Sequence, residues 1–369
     1  MRKLLLRDLW QQAGAVFDER HGTEVVSRFS GLREEHLAVR DALGVTDFSF
    51  MRKYRVPFEK GDELLDAILA GNVPKIRFGR MLHTLMPDTD GYVQADCYVA
   101  NNDEELILLC EGIIPDGDFN GILQPAGAAG DLVRDLTETH VLLGLDGYKA
   151  WAVAKELFGA DVLGLPYLSV EVYPFEGESV YLFRAGKTSE FGYLLMAPSK
   201  VAHALGEALV ASSKRHGGLL CGVEAHNALR LEGRFFNIHA EGARVRDPLV
   251  LGLQWMIDFE KESFRGMEAI KQRRAAGLKQ KIVGVAALPG GQGLRSGVKI
   301  FHGTDEIGEV VADASSPSLD RQIGLAVLRV ELAFSGLTFA AGAPAGPQVE
   351  TISMPPIFPK SLQVKLDEM

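Results

Sequence analysis

Residues 80–99 constrain the fold of this chain most, because their pattern predicts a β-hairpin. Two runs with strand composition flank a turn segment at 87–91, which ends in Asp90-Gly91, a strong hairpin signal. Side chains on a strand alternate between its two faces. In the second run one set of alternate positions is small and apolar, and we expect it to face the core: Val93, Ala95, Cys97 and Val99.

The other face of the second strand carries one carboxylate, Asp96, within the set Tyr92, Gln94 and Tyr98. Asp is depleted in strands, and a partly buried carboxylate is costly unless it is paired or hydrogen-bonded. Two interpretations follow. Asp96 is either a candidate acid, base or charge stabiliser at a functional site, or an ordinary solvated Asp on an exposed sheet face. The hairpin taken alone favours the second.

The composition limits the class of protein. A length of 369 residues exceeds one usual hydrophobic core, so we expect two or three domains. The net charge of −10, with no long Lys/Arg run, argues against nucleic-acid binding. Cys97, Cys110 and Cys221 form an odd, widely spaced set without a CxxC pair. This set predicts a reducing compartment and no disulfide framework.

The sequence has no feature that is typical of a membrane protein. Residues 1–9 are too few and too charged to resemble a signal peptide. No stretch of about 18 uninterrupted apolar residues is present. We therefore expect a cytoplasmic protein without a membrane partner.

Hydrophobic periodicity predicts single helices that alternate with short strands over most of the chain. The predicted helices cover 32–43, 61–70, 148–158, 200–216 and 224–232. The predicted strands outside the hairpin cover 45–50, 54–58, 106–110, 141–145, 167–172, 180–184 and 193–196. This alternation favours an α+β fold over a doubly wound parallel sheet. We expect residues 1–30 to be peripheral, and the Gly- and Ala-rich segment 116–130 gives no clear pattern.

After about Gly277 the pattern changes to short strands separated by Gly, Pro, Asp and Ser residues. The predicted strands cover 282–288, 297–301, 306–311 and 323–330. Such a series predicts a small β-barrel or sandwich at the C-terminal end of the chain.

Two further segments carry candidate site residues. Glu190 is the single carboxylate of the loop 184–193, and its two coplanar oxygens could accept two N–H donors from a flat heterocycle. His226, near a helix start, could position an anionic or carbonyl ligand. On the residues alone, a solvated loop Glu and a structural His are the favoured alternatives. Arg230 and Glu232 are expected on a helix surface or in interdomain pairing.

The remaining motifs and residue types that we considered do not indicate a further catalytic or binding site. The motifs GxxxxGKS/T, HExxH and GxSxG are absent from the sequence. We expect no metal site, because His239 and His302 have no partner at metal-ligand spacing. Trp151, Trp255 and the Phe residues are expected in the core.

Taken together, these segments resemble the glycine cleavage T-protein (aminomethyltransferase) family over residues 34–332. Their order and spacing along the chain carry the resemblance. The segments are EEHLAVRDALGVTDFSFM at 34–51, GRMLHTLMPDTDGYVQADCYV at 79–99, LGLDGYKA at 143–150, RAGKTSEFGYLLMAP at 184–198, GVEAHNALRLEGR at 222–234, DPLVLGLQWMIDF at 247–259, FRGMEAI at 264–270 and IGEVVADASSPSLDRQIGLAVL at 307–328.

The resemblance implies a three-domain, cloverleaf-like aminomethyltransferase fold of the α+β class around a central tetrahydrofolate site. The first two α+β domains interleave along the sequence. One comprises 1–51 and 139–225, and the other, which carries the hairpin, comprises 52–138 and 226–276. The third is a C-terminal β-barrel domain over 277–369.

The family also implies roles for single residues. Its catalytic Asp matches Asp96, and the Glu that holds its pteridine ring matches Glu190. A Met that lines its folate pocket matches Met51. The resemblance therefore reverses the preference for a solvated Asp96 and a solvated Glu190.

Several pocket positions depart from the family pattern. A pocket Tyr is His83 here, the Arg of an Ala-Arg-Asp motif is His226, and a Tyr near the folate is Phe235. We assign these three residues to cofactor binding, together with Met51 and Glu190. The reaction Asp and the folate-gripping Glu are kept while their surroundings change.

Two short motifs differ in the same way. The family's Ser-His-Met is Ser-Phe-Met at 49–51, and its Thr-Gly-Tyr-Thr-Gly-Glu loop is Ala-Gly-Lys-Thr-Ser-Glu at 185–190. These changes question the glycine-cleavage substrate more than they question the folate.

The predicted function is a tetrahydrofolate-dependent aminomethyl or methyl transferase. Its donor would be a small molecule or a carrier-bound group, which in the family is held by a lipoyl carrier protein. Asp96 would stabilise developing positive charge, orient the nucleophile or relay a proton near the folate nitrogens.

Two alternatives remain open. The changes at His83, His226 and Phe235 suggest a folate-dependent demethylase of a small N-, O- or S-methylated compound. A non-enzymatic folate-binding protein for iron–sulfur cluster maintenance is the other. The signature of those proteins is Lys-Gly-Cys-Tyr-x-Gly-Gln-Glu, and the nearest stretch here, 262–268, lacks the Cys.

Overall fold

The computed structural model describes residues 1–113, 121–123, 132–291 and 293–365. Within these ranges the strands form a two-stranded ribbon (Val16–Arg20 and Thr23–Arg28), a six-stranded sheet, a five-stranded sheet and a closed six-stranded barrel. The α-helices are Arg7–Gln12, Leu32–Asp41, Phe58–Ile68, Ala150–Phe158, Ser199–Arg215, Val223–Glu232, Glu241–Arg244 and Met267–Ala276. Short 3₁₀ helices cover Val73–Lys75, Ala160–Gly164, Gln254–Met256, Val330–Leu332 and Lys360–Gln363. Most of the segment 116–130 lies outside the described residues.

The six-stranded sheet combines segments that are far apart in the sequence. In sheet order its strands are Val170–Phe175, Glu178–Phe183, Gly192–Pro198, His140–Asp146, Gly44–Asp47 and Leu219–Leu220. Neighbouring strands are antiparallel except for the last pair. The Ser199–Arg215 helix buries Val201, Leu205 and Leu209, spaced four residues apart on one face, in the same core cluster as the sheet residue Leu143.

The five-stranded antiparallel sheet contains the predicted hairpin. In sheet order its strands are Met81–Pro87, Val93–Asn101, Glu105–Gly112, Arg52–Pro57 and Arg134–Asp135. Gly91 takes a φ of 74° in the turn, a conformation that glycine adopts without steric cost. The predicted core face is confirmed, since its four small apolar residues are all fully buried.

The C-terminal strands close into a barrel, which confirms the predicted barrel domain. In order around the barrel the strands are Gln280–Ala287, Arg321–Arg329, Asp305–Ser316, Lys299–His302, Thr338–Ala341 and Gln348–Ile352, and the last pairs with the first. The two final strands were not predicted. They have four and five residues, too few to show a clear period-two pattern.

The first 30 residues are not peripheral, so that prediction was wrong. Trp10 is fully buried, and its indole Nε1 donates a 2.5 Å hydrogen bond to Asp47 Oδ2. Leu4 and Leu6 belong to the core cluster of the six-stranded sheet. The helix Arg7–Gln12 is too short to show helical periodicity, so only contacts distant in sequence reveal its burial.

The other predicted elements are present with shifted ends. The strand predicted over 45–50 ends at Asp47, because its Oδ1 accepts the backbone N–H of Ser49 at 2.8 Å and starts a turn. The helix predicted over 61–70 lies within Phe58–Ile68; Glu59 and Lys60 have non-helical backbone dihedrals, so the regular helix begins at Gly61, as predicted, and ends at Ile68. Each sheet takes its strands from a single predicted domain, and the domain boundaries themselves stay a prediction.

Candidate active site

Asp96 lies in the middle of the second hairpin strand, directly opposite Leu85 on one side and Glu111 on the other. It is 1% exposed, so the solvated Asp that the hairpin alone favoured was wrong. The physical reason is not local. The face that an isolated hairpin would expose is covered by the loop 184–192 and by the helix Val223–Glu232, both of which place cations on it.

The carboxylate of Asp96 is bound from both sides. Lys187 Nζ donates to its Oδ2 at 2.5 Å, and His83 Nε2 lies 2.6 Å from its Oδ1. The guanidinium of Arg230 is 3.7 Å from Oδ2. Burial acts to raise the pKa of Asp96, but Lys187, His83 and Arg230 outweigh it and lower the pKa to about 2. The group is therefore ionised at neutral pH.

Glu111 is a second buried carboxylate beside the first. Both of its oxygens lie 2.9 Å from Arg230 Nη1, and Oε2 is 3.4 Å from Lys187 Nζ. Two like charges at directly opposite strand positions destabilise a sheet, and Arg230 and Lys187 offset that repulsion because each lies between Glu111 and Asp96. Burial acts to raise the pKa of Glu111, yet Arg230, Lys187 and His239 hold it well below its usual range.

Lys187 and Arg230 are two of the residues at this centre whose roles sequence reasoning missed. Lys187 stands where the family loop has Tyr, and its ammonium lies 5.3 Å from the ring centre of Tyr98. Arg230 was expected on a helix surface or between domains, but its buried guanidinium pairs with Glu111 instead. One signal was present, a Lys in a glycine-containing loop three residues before Glu190.

His83 contacts both Asp96 and two aromatic side chains. Its ring stacks on Tyr98 at 4.4 Å between centroids, and Trp255 meets it edge-on at 5.5 Å. Burial lowers the pKa of His83, although Asp96 acts to raise it. The neutral ring then donates through Nε2, because the ionised Asp96 can only accept.

The two tryptophans named in the sequence behave differently. Trp255 is 66% exposed, so its predicted place in the core was wrong. It follows the buried Leu253 in a short 3₁₀ helix, and its ring extends outward beside His83. Trp151 packs against the core of the six-stranded sheet, as expected.

His226 and Met51 line a small cavity at the centre, next to Glu111, Lys187 and Arg230. Its volume of about 20 Å³ leaves room for about one water molecule. His226 packs edge-on against Phe48, with ring centroids 4.8 Å apart. Burial holds the pKa of His226 well below its usual range, so the imidazole is neutral.

Asp146 borders the same cavity and was not singled out in the sequence. Thr188 Oγ1 donates a 3.3 Å hydrogen bond to its Oδ1. A Cβ on Gly186 or Gly192 would lie 2.6 or 2.9 Å from that oxygen, so both glycines are needed for its close packing. Burial raises the pKa of Asp146 to about 7, although Thr188 and Arg184 act to lower it. Its sequence signal is a lone carboxylate at the end of an apolar strand.

A larger cavity of about 440 Å³ adjoins the centre through Gly186, which lines both. We call it the mouth cavity. Its lining includes the predicted residues His83, Glu190 and Phe235, together with the exposed Trp255. A mainly apolar cleft with a few polar groups is the usual form of a small-molecule site.

Glu190 is buried, so the alternative of a solvated loop Glu was wrong. Its Oε1 accepts from Arg40 Nη1 at 3.1 Å and from the backbone N–H of Lys360 at 3.3 Å. Its Oε2 accepts from the backbone N–H of Ser361 at 2.9 Å and from Ser361 Oγ at 2.6 Å. Four donors therefore occupy the roughly four acceptor positions of the carboxylate.

The structure thus groups the predicted residues around two adjoining spaces. Asp96 and His83 are in direct contact, Met51 and His226 line the central cavity, and Glu190 and Phe235 line the mouth cavity with His83. Among the described residues, no group of three or more His, Cys, Asp or Glu side chains is arranged to hold a metal ion. Nor, within those ranges, is any helix sufficiently long and apolar to span a membrane.

Comparison with known proteins connects this geometry to a family. The family model of the GCVT N-terminal domain matches residues 6–261. An aminomethyltransferase from Halothermothrix orenii is 28% identical over 340 residues, which cover 91% of this chain and 94% of that protein. One from Bacillus subtilis is 28% identical over 336 residues, with coverages of 90% and 92%.

A solved structure shows the same fold. The glycine cleavage system aminomethyltransferase T from Bartonella henselae superimposes with a TM-score of 0.82 at 23% identity, covering 96% of this chain and 97% of that one. The match confirms the aminomethyltransferase fold that the resemblance implied. Because the family model matches well over half of the sequence, the chain belongs to the GCVT family of glycine cleavage T-proteins.

Proposed function

We propose that this chain transfers an aminomethyl group from a carrier-bound or small-molecule donor to tetrahydrofolate. The observation that carries the proposal is the buried, ionised carboxylate of Asp96 between His83, which lines the mouth cavity, and Lys187, which lines the central cavity. The relatives named above are aminomethyltransferases. They favour aminomethyl transfer over the demethylase and over the non-enzymatic iron–sulfur alternative.

The residues of the mouth cavity fit a tetrahydrofolate. The volume of about 440 Å³ is in the usual range of small-molecule sites. Phe235 and Trp255 offer aromatic rings on which a pteridine or benzoyl ring can pack, and Met51 and His226 would contact its inner end. When bound, tetrahydrofolate supplies the nitrogen atoms that accept the one-carbon unit.

Asp96 would stabilise the positive charge that develops on the donor carbon and the nitrogen bound to it. A fixed carboxylate in a water-poor site interacts with such charge more strongly than water does. His83 and Lys187 hold the two oxygens of the carboxylate in place, so no reorientation is needed during the reaction. Neutral His83 and His226 add no competing positive charge.

Glu190 would hold the pteridine through paired hydrogen bonds. Its acceptor positions are filled by Arg40, Lys360 and Ser361, so a pteridine has to replace some of these donors. The donors of Lys360 and Ser361 belong to one short turn near the end of the chain, whereas Arg40 is fixed by Glu232. We infer that the pteridine displaces the donors of this turn from Glu190, whereas Arg40 remains bound to it.

The test of the proposal is turnover. Tetrahydrofolate and an aminomethylated lipoyl carrier protein are supplied, and ammonia and methylenetetrahydrofolate are measured. We expect Asp96→Asn to lower the rate by about two to three orders of magnitude, because it removes a charge that stabilises the transition state. Tetrahydrofolate affinity should change little. Asp305→Asn, at the exposed first residue of the barrel strand Asp305–Ser316, is the matched control and should keep the rate.

Each contrary outcome has a distinct meaning. An unchanged rate in Asp96→Asn would remove this residue from the mechanism. Methyl transfer from a methylated small molecule, without ammonia release from the carrier, would replace the proposal by the demethylase. Folate binding without any transfer would favour the non-enzymatic alternative.

A further inference from the structure

A third cavity borders the centre at the turn of the two-stranded ribbon, and we call it the ribbon cavity. It shares Met51 and Glu111 with the central cavity, and among the described residues it has no lining residue in common with the mouth cavity. The central cavity therefore lies between two separate spaces. A tetrahydrofolate in the mouth cavity reaches the centre from one of them, so the ribbon cavity offers a second approach to the same groups.

The ribbon turn places a cation in this cavity. Arg20 pairs with Thr23 across a connection of two residues. These two, His21 and Gly22, both take a positive φ, of 46° and 80°, the combination that a type I′ hairpin requires. Arg20 and His21 line the cavity, and Arg20 is half-buried there. The tight turn thus fixes a guanidinium at the edge of the centre.

The Arg20 guanidinium has no hydrogen-bond or ion-pair partner within the part of the chain that the structure describes. Burial acts to lower the pKa of Arg20, whereas Glu111 and Asp18 act from a distance to raise it. Both oxygens of Glu111 already lie 2.9 Å from Arg230 Nη1, and Asp18 is exposed. A cation that is partly buried without a close partner is costly. The cavity therefore favours an anion that can bind Arg20 directly.

His239 is a second unpartnered group in the same cavity. Its side chain is 10% exposed, and neither ring nitrogen forms a hydrogen bond with the described residues, although Nε2 lies 3.4 Å from Glu111 Oε1. Its ring stacks on His21 with centroids 5.1 Å apart. Burial lowers the pKa of His239 to about 3, so the ring is neutral and carries one N–H. A ligand oxygen would satisfy this buried donor.

The ribbon cavity is positively charged and small. Its lining contains Arg2, Arg20 and Arg52 against one carboxylate, Glu111, which gives a net formal charge of +2 with both histidines neutral. The whole chain carries −10, so this charge is a local reversal of sign. The volume of about 20 Å³ admits one small polar group and excludes an aromatic ring.

We propose that the ribbon cavity binds the carboxylate of a small one-carbon donor, with Arg20 and His239 as its hydrogen-bond donors. The inference rests on the proposed function and narrows its donor to a small acid. A planar guanidinium matches the two coplanar oxygens of a carboxylate. The one-carbon end of such a donor would extend past Met51 and Glu111 to Asp96. A lipoyl arm ends in an uncharged dithiol and would leave Arg20 and His239 without a partner.

The experiment titrates propionate and propionamide into the full-length protein, with and without saturating tetrahydrofolate, and follows the ligand by NMR. We expect propionate to bind about tenfold more tightly, because only the acid forms charge-assisted hydrogen bonds. Saturating tetrahydrofolate should leave this preference in place, since the two ligands occupy different cavities. In Arg20→Gln the preference should largely disappear while tetrahydrofolate affinity stays, which also shows that the variant is folded.

Arg28→Gln is the matched control. Arg28 is the exposed last residue of the second ribbon strand and pairs with Val16, at the end opposite the turn. Its substitution removes the same charge from the same ribbon, so the preference for propionate should remain. A loss in Arg28→Gln as large as that in Arg20→Gln would assign the effect to the net charge of the ribbon and overturn the site.

The other outcomes separate this inference from the function on which it rests. Equal affinities for the acid and the amide, or a preference that survives in Arg20→Gln, would overturn the ribbon cavity alone. Loss of propionate binding on saturation with tetrahydrofolate would show that folate itself takes the cavity, and the donor assignment would fall. No tetrahydrofolate binding by the wild type would overturn the proposed function and the donor assignment with it.

Discussion

At the scale of single residues, two buried carboxyl groups of the centre have opposite pKa shifts because their partners differ. Asp96 has Lys187 at 2.5 Å, and its pKa falls to about 2. Among the described residues, the side-chain hydrogen bond of the Asp146 carboxyl group comes from the neutral Thr188, and burial raises the pKa of Asp146 to about 7. Opposite shifts in neighbouring carboxylates are a mark of functional sites. At neutral pH, Asp96 is ionised, whereas burial favours the protonated form of Asp146.

The raised pKa of Asp146 predicts a specific pH dependence of stability. An acid with a folded-state pKa near 7 and an unfolded value near 4 binds more protons in the folded state between these limits. Stability from this group is therefore present below about pH 4 and is lost as the pH rises to about 7. Asp146→Asn removes the titrating group, so we expect the variant to keep its stability as the pH rises. At pH 8 its free energy of unfolding should exceed that of the wild type by up to a few kcal/mol.

The measurement is the free energy of unfolding of both proteins at several pH values from 4 to 8. Asn keeps the Oδ1 acceptor for Thr188, so the hydrogen bond is conserved and only the titration is removed. The difference between the two proteins should be near zero at pH 4 and should grow up to pH 7. Parallel curves over the whole range would show that Asp146 does not titrate in this way.

At the scale of elements, the short turn Lys360–Gln363 is fastened to the loop 184–192. Ser361 supplies two donors to Glu190, and its Oγ accepts the backbone N–H of Phe191 at 2.9 Å. Lys360 also pairs with Asp41 at the end of the Leu32–Asp41 helix. Glu190 can therefore act in two ways. It can bind the pteridine directly, or it can hold the Lys360–Gln363 turn in place by accepting its hydrogen bonds.

Two substitutions distinguish these roles. Under direct binding, Glu190→Gln should weaken tetrahydrofolate binding by about tenfold or more, because it removes a charge and one acceptor. Ser361→Ala should change the affinity less than threefold, since it removes only a competing donor. Both affinities are measured by calorimetry. If Ser361→Ala weakens binding as much as Glu190→Gln does, then Glu190 acts by holding the turn.

The sequence predicted what local patterns determine. The alternation of Val93 to Val99 and the Asp90-Gly91 turn placed Asp96 on its hairpin, because strand periodicity and turn chemistry act over a few residues. Burial of that face was not predictable from the same pattern. It depends on Lys187 and Arg230, which reach Asp96 from segments about 90 and 130 positions further along the chain.

The outward position of Trp255 shows the same limit. The side-chain type of Trp255 predicts burial, since a large aromatic side chain is usually packed in the core. The neighbouring Leu253 and Met256 take the buried positions of that short 3₁₀ segment instead. Which residue of so short an element faces inward is decided by packing against distant strands, which no local period encodes.

At the scale of the whole molecule, one buried carboxylate connects the barrel to the mouth cavity. Glu232 accepts hydrogen bonds from Ser316 and Ser318 of the barrel at 2.5 and 3.0 Å. It also pairs with Arg40 at 2.8 Å. Arg40 in turn binds Glu190, so the contacts of Glu232 extend from the barrel to the proposed folate site.

We expect Glu232→Ala to lower the free energy of unfolding by about 3–5 kcal/mol, because it leaves the buried guanidinium of Arg40 without its main partner. The matched control is Arg33→Ala. Arg33 lies on the Leu32–Asp41 helix that also carries Arg40, and it forms an exposed ion pair with Asp320 of the barrel, so its loss should lower the free energy of unfolding little.

Tetrahydrofolate affinity provides the second readout of the same variants. Arg40 is held by Glu232 on one side and binds Glu190 on the other, so Glu232→Ala should also weaken folate binding, by several-fold, while Arg33→Ala should not. Calorimetric titration at a temperature where both variants are folded separates this effect from instability. A large loss of stability with unchanged folate affinity would show that Glu232 fastens the barrel without positioning the mouth cavity. Loss of both together would mean that the barrel helps to hold Glu190, because Ser316 and Ser318 fix Glu232, Glu232 fixes Arg40, and Arg40 binds Glu190.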